Sequence, residues 1–200
     1  MGMIFCLMGK SASGKDFIYK NLREREDLHL KHIVPYTTRP IRFGEVNGLS
    51  YFFCTDAEAA QMEVDGRIIE MRTYHTVHGD WKYFTADDGQ IDLSRQDYLM
   101  IGTIEAYEKI RDYFGAEHVR PIYVWVDDGD RLERALRRER KQEQPKYAEM
   151  CRRFLADERD FSPENLKAAG IEIGFENREK EQILRDVEQY IREIREGEIP

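Results

Sequence analysis

The stretch Gly9-Lys10-Ser11-Ala12-Ser13-Gly14-Lys15-Asp16 has the spacing of a loop built to hold phosphate. Glycines at its ends let the backbone curl until its N–H groups point inward, and a helix beginning there adds the partial positive charge of its first turn. Lys15 can then bridge the outer phosphates of a nucleoside triphosphate such as ATP. The common pattern continues with Ser or Thr, whose hydroxyl binds Mg²⁺, whereas this chain has Asp16. A carboxylate is a hard oxygen ligand that Mg²⁺ accepts, which makes Asp16 a candidate metal ligand. An acid in the first turn of a helix is also favourable with no metal present, so both readings stand.

A second group of phosphate-binding residue types lies in PYTTRPIRFGEVNGLSYFF, Pro35 to Phe53. Arg39 and Arg42 carry guanidinium forks that grip a phosphate bidentately, and the Tyr51 hydroxyl can add a donor. This run resembles the guanylate kinase family, whose members carry T-T-R-x-P-R-x-G-E-x-x-G-x-x-Y. Thr37, Thr38, Arg39, Arg42, Gly44, Glu45, Gly48 and Tyr51 match, with the proline displaced to Pro40. The resemblance continues into RIIEMRTYHTVHGDWKYFT. There it implies that Glu70 reads the guanine N1–H and N2 amine, that Tyr83 binds the acceptor phosphate and that the Thr85 hydroxyl touches the base. Gly79, Tyr83 and Thr85 fit the family's G-N-Y-Y-G-T/S run if one residue is inserted.

Three positions depart from that family. Pro35 stands where a base-contacting serine is found, the MIGT stretch holds no carboxylate where the family has an acid pair, and Phe84 replaces a glycine. The phosphate grips match better than the base-reading contacts. Further on, Arg131, Arg134, Arg137, Arg138, Arg140, Arg152 and Arg153 form a basic segment. The resemblance implies a helical lid whose arginines cover the transferring phosphoryl group, and register favours Arg138 and Arg153. A solvated helix face is the other fate of such charges. Asn177 falls in the turn that the family places near adenine, so the similarity spans nearly the whole chain.

These residues need elements to position them. MIFCLM (Met3 to Met8) reads as a strand buried on both faces, followed by the glycine loop and the helical DFIYKNLRERE. DYLMIGT with IEAYEKIRDYF, and VRPIYVWV with DDGDRLERALRRER, repeat the strand-then-helix order, and GIEIGF (Gly170 to Phe175) reads as a further strand. Ile183, Val187, Ile191 and Ile194 share one face of the last helix. Strands alternating with helices predict an α/β fold with a parallel sheet flanked by helices. Residues 35–92 break the rhythm with short aromatic runs, glycine turns and one helical piece, TDAEAAQMEVDG. The expected organisation is a single domain over 1–200. It has a P-loop NTPase core (1–34, 93–130 and 160–200), a small mixed-β insertion for the acceptor nucleotide (35–92) and a helical lid (131–159).

Composition narrows the function further. A formal charge of −8 over 200 residues argues against general affinity for nucleic acid polymers or anionic membranes. No apolar run has the length of a membrane span, no signal peptide is expected, and Cys6, Cys54 and Cys151 have no metal-ligand spacing, so cytoplasmic thiols are the expectation. His75 and His78 stand three apart without further ligands and read as strand or surface residues. The expected activity is ATP- and Mg²⁺-dependent phosphorylation of a purine nucleoside monophosphate, GMP or dGMP. A kinase for another phosphorylated acceptor is the alternative, and a non-catalytic guanylate kinase-like binding module is a third reading.

Overall fold

The computed structural model describes residues 1–42, 44–76 and 79–197. Its strands are β1 (Ile4–Met8), β2 (Leu30–His32), β3 (Tyr36–Thr37), β4 (Phe52–Phe53), β5 (Ile68–Thr76), β6 (Gly79–Ala86), β7 (Asp97–Ile101), β8 (Val119–Trp125) and β9 (Gly174–Glu176). Its helices are α1 (Lys15–Glu24), α2 (Asp56–Val64), α3 (Ile104–Phe114), α4 (Asp128–Glu139), α5 (Tyr147–Asp160), α6 (Pro163–Ala168) and α7 (Lys180–Glu196).

All of β1 is buried because it lies at the centre of a parallel sheet of order β2-β7-β1-β8-β9. Its side chains alternate between two cores, as the pleat requires. Ile4, Cys6 and Met8 join Tyr98, Met100 and Ile110 on one face. Phe5 and Leu7 join Ile18, Leu22, Ile183, Val187, Ile191 and Ile194 on the other, so α1 and α7 cover that side. The apolar stripe expected on the last helix is the stripe that packs.

A second sheet, β4-β3-β6-β5, mixes one parallel pairing (β3 with β4) with antiparallel ones. It forms the expected irregular region and carries α2, whose start is held by a capping box between Thr55 and Glu58. Alternation along β6 decides what this sheet offers. Phe84 and Ala86 enter a small core with Ala59 of α2, while Tyr83 and Thr85 point to the opposite side. Phe84 therefore fills a core beneath the sheet and stacks on Tyr36, with ring centroids 5.1 Å apart.

The strand expected from Gly170 to Phe175 is shorter and later, beginning at Gly174. Gly170, at φ +73°, closes α6 instead of opening a strand. Its N–H donates to the Lys167 carbonyl and that of Ile171 to the Leu166 carbonyl, the paired bonds of a Schellman ending. The edge strand β2 and the short α6 carry too weak a periodicity to be read in advance. Among the described residues no helix is long and apolar enough to cross a membrane.

Ile191 is fully buried between α7 and the sheet. Ile191→Ala is expected to lower unfolding stability by about 3 kcal/mol, the usual cost of such a cavity. Urea titration checks this, and an unchanged midpoint would contradict the packing.

Candidate active site

The loop after β1 bends around two neighbours. A Cβ at Gly9 would come 2.2 Å from the Val124 carbonyl oxygen, and one at Gly14 would come 2.1 Å from Asn177 Nδ2. Gly14 also sits at φ +95° as the residue before α1, a conformation glycine adopts without strain. Asn177 Nδ2 donates to the Ser13 carbonyl at 2.7 Å, tying the loop to the turn after β9. Lys15 opens α1 and Asp16 lies exposed in its first turn, neither with an ion-pair partner among the described residues.

Residues of α4 and α5 reach this loop. The Ser11 N–H donates to Asp157 Oδ2 at 2.8 Å, so one loop amide already faces an oxygen anion of the kind a phosphate presents. Lys10 pairs with Glu158 at 2.7 Å and stands 3.6 Å from Asp128. Arg131, only 1% exposed, is held by Asp128 at 2.9 Å, by Asp157 at 3.2 Å and by Glu158, with its guanidinium 3.8 Å from the Phe154 ring centroid. Such a buried cation is tolerable because carboxylates surround it.

Arg138 is exposed on α4, and Arg153, half-buried on α5, lies 3.6 Å from Glu149. Neither makes a hydrogen bond or ion pair to the loop among the described residues. Arg137 and Arg152 pair with acids of their own helices, and Arg134 donates to the Asn177 carbonyl at 3.0 Å. Among the basic residues of the lid, Arg131 is thus the one linked most closely to the loop. Asp157 and Glu158 were not foreseen as its partners, although the three-residue step from Asp128 to Arg131 is a recognisable helical pairing.

The residues expected to hold the acceptor converge on the second sheet. Arg39, 3% exposed, donates from Nε to the Tyr83 hydroxyl at 3.0 Å and from NH1 to Glu45 at 2.7 Å, with its guanidinium 5.0 Å from the Tyr51 ring centroid. Arg39, Tyr51 and Tyr83 are therefore brought together. Arg42 lies on the exposed rim over the Trp81 ring. Burial pushes the Tyr51 phenol above its ordinary pKa. Glu45, a motif residue without an expected role, orients Arg39. Hydrogen bonding from Arg39 brings its carboxyl down to about 2, against the opposing effect of burial.

Glu70 and Thr85 meet on the same side of β5 and β6. The Thr85 hydroxyl donates to Glu70 Oε1 at 2.9 Å, and both are buried. Arg72, two residues along β5, forks onto the same carboxylate with distances of 2.9 and 3.3 Å. Burial alone would lower the Arg72 pKa, but the Glu70 charge and hydrogen bond outweigh it and hold the guanidinium above its ordinary value. Thr103, which caps α3, occupies the MIGT stretch where a carboxylate is lacking. His75 is an exposed partner of Asp80, and His78 lies outside the described residues. No cluster of metal-ligating side chains occurs among the described residues.

A family model described as guanylate kinase matches residues 2–193. The chain belongs to the guanylate kinase family. It is similar to the guanylate kinase of Bacillus subtilis, 37% identical over 73 residues, which are 36% of this chain and 36% of that protein's length. The guanylate kinase of Novosphingobium aromaticivorans is 32% identical over 142 residues, 68% of this chain and 59% of that one. The chain thus spans about a third of the length of the first relative and under two thirds of the second. The crystal structure of guanylate kinase from Anaplasma phagocytophilum shares the fold. Its TM-score is 0.65 at 21% identity, covering 96% of this chain and 85% of that one.

The Arg39–Glu45 pair makes acid stability a test of the clasp. Glu45 is depressed in the folded state from 4.5 to about 2, so its contribution is complete above pH 4.5 and is lost as pH falls toward 2. Glu45→Gln is expected to lower Tm at neutral pH, with the gap from the unaltered protein closing between pH 4.5 and 2. A pH-independent gap in scanning calorimetry would show that Glu45 acts without its charge.

Proposed function

We propose that this protein transfers the γ-phosphoryl group of ATP to the phosphate of a purine nucleoside monophosphate, GMP or dGMP being favoured, in the cytoplasm. The observation that carries this reading is the convergence of Arg39, Tyr51 and Tyr83 into one polar clasp, in a guanylate kinase family chain that also carries the glycine loop of residues 9–16.

Residues 9–16 hold the donor. The close approach required at Gly9 and Gly14 and the Ser11 amide facing an anion suit a polyphosphate cradle. Lys15, at the start of α1 and without a carboxylate partner among the described residues, supplies the mobile charge. The donor set for Mg²⁺ is one carboxylate, Asp16, which suits an ion that takes one or two carboxylates and completes its shell with phosphate and water. Bound magnesium neutralises charge on the phosphates.

The acceptor is held by Arg39, Arg42, Tyr51 and Tyr83, with Glu70 and Thr85 at its base. Its phosphate oxygen is already a nucleophile, so the chain needs no general base; it needs alignment and exclusion of water. Closing α4 and α5 over the loop brings Arg138 and Arg153 as lid cations. The carboxylates Asp157 and Glu158, which face Ser11 and Lys10, must then yield to phosphate. The domain division into core, acceptor insertion and lid is part of the same reading.

ATP with a panel of GMP, dGMP, AMP and sugar phosphates tests the proposal. Diphosphate formation from GMP or dGMP above the others is expected, and equal turnover across the panel would overturn it. Lys15→Ala is expected to lower kcat by on the order of a hundredfold or more, since the lysine stabilises the transferring charge. Asp16→Ala is expected to raise the Mg²⁺ concentration for half-maximal activity while leaving GMP binding unchanged. An unaltered Mg²⁺ titration would reduce Asp16 to a helix-start acid.

A further inference from the structure

Glu70 is a buried carboxylate whose hydrogen-bonding capacity is already largely taken. Oε1 accepts from Thr85 Oγ1 at 2.9 Å and from Arg72 NH2 at 3.3 Å, and Oε2 accepts from Arg72 Nε at 2.9 Å. A carboxylate offers about four lone-pair sites, so one well-placed site remains. Guanine presents two donors on this edge, N1–H and the N2 amine, and both cannot be served by one site.

Arg72 has the opposite surplus. A guanidinium carries five N–H donors in a fixed fork. Two are spent on Glu70, and NH1 reaches Thr103 Oγ1 only at 3.5 Å, the outer limit of a hydrogen bond. The side chain is 16% exposed, enough for a ligand to meet it. The fork is also held from both sides: Glu70 lies on its own strand, and Thr103 caps the helix packed against that strand. Of the residues where the sequence departs from the family, Pro35 has no side-chain donor and Phe84 is buried in the core beneath the sheet.

Among the described residues this cluster therefore pairs one remaining acceptor, on Glu70, with unused donors on Arg72. A ring carbonyl beside a ring N–H matches that pair. This is the edge of a 6-oxopurine, with O6 toward Arg72 and N1–H toward Glu70. Adenine offers an amino donor and a bare ring nitrogen in these places, which sets donor against donor and acceptor against acceptor. We propose that Arg72 is the specificity residue that reads the 6-oxo group of the acceptor base, and that the 2-amino group is not required. Hypoxanthine nucleotides are then substrates alongside guanine nucleotides. This inference rests on the phosphoryl-transfer reading above.

Steady-state kinetics with ATP and GMP, IMP or AMP tests it. For the unaltered protein, kcat/KM for IMP is expected within about tenfold of that for GMP, with AMP at least about a hundredfold lower. Arg72→Met is expected to raise KM for GMP and IMP by about tenfold to a hundredfold with kcat little changed, and to narrow the gap to AMP. Arg72→Lys separates base reading from charge balance. It keeps a cation beside Glu70 but loses the fork, so KM stays raised if Arg72 reads the base and returns to normal if it only neutralises Glu70. Full rescue by lysine, an unchanged KM in Arg72→Met, or a GMP preference over IMP above about a hundredfold overturns the inference. Absence of turnover with all three nucleotides would instead overturn the phosphoryl-transfer reading.

Discussion

A methyl group at Gly14 would lie 2.1 Å from the Asn177 amide, and one at Gly9 would lie 2.2 Å from the Val124 carbonyl oxygen. The loop can therefore take its path only while it has no side chains at those two points. That path sets where α1 begins, and hence where Lys15 and Asp16 stand. It also joins three separate pieces of chain, because β8 supplies Val124, the turn after β9 supplies Asn177, and Asn177 in turn holds Ser13. The glycine loop is a contact surface of the parallel sheet rather than an independent turn.

Charge is organised around this loop in a way that the acidic total conceals. Arg131 is almost wholly buried, yet Asp128, Asp157 and Glu158 surround it, and Asp128 and Glu158 also pair with Lys10. The network joins α4 and α5 to the loop, and one of its carboxylates occupies a loop amide. An ion pair removed from water has to recover its lost hydration from close partners, and here those partners lie on different helices. The same principle operates in the acceptor region, where Glu45 secures Arg39 and Glu70 secures Arg72. Each acid takes part of its arginine's fork and fixes the orientation of the guanidinium.

Much of this was legible from residue order. The continuous apolar run of β1 meant burial on both faces, and the spacing of Ile183, Val187, Ile191 and Ile194 marked the inner face of α7. Both signals are local, because strand and helix periods repeat within a few residues. The strand beginning at Gly170 was misplaced because a glycine after an apolar helix end can close that helix, and only the Schellman bonds to Leu166 and Lys167 distinguish the two outcomes. Phe84 was read as a departure within the base pocket. The pleat of β6 turns it into the core beneath, while its neighbours Tyr83 and Thr85 remain on the cleft side.

Sequence alone determined the α/β order and the family motif carrying Arg39, Glu45 and Tyr51, since each is written in contiguous residues whose types suffice. Tertiary structure decided which charges meet. Arg131 finds Asp157 and Glu158 across 26 and 27 positions, and Asn177 finds Ser13 across 164. Arg72 could be seen in the sequence, but its fork on Glu70 and its approach to Thr103 depend on β5 lying beside α3. Side-chain hydrogen bonds require partners within about 3.5 Å, and only the folded chain brings residues so far apart in sequence to that separation.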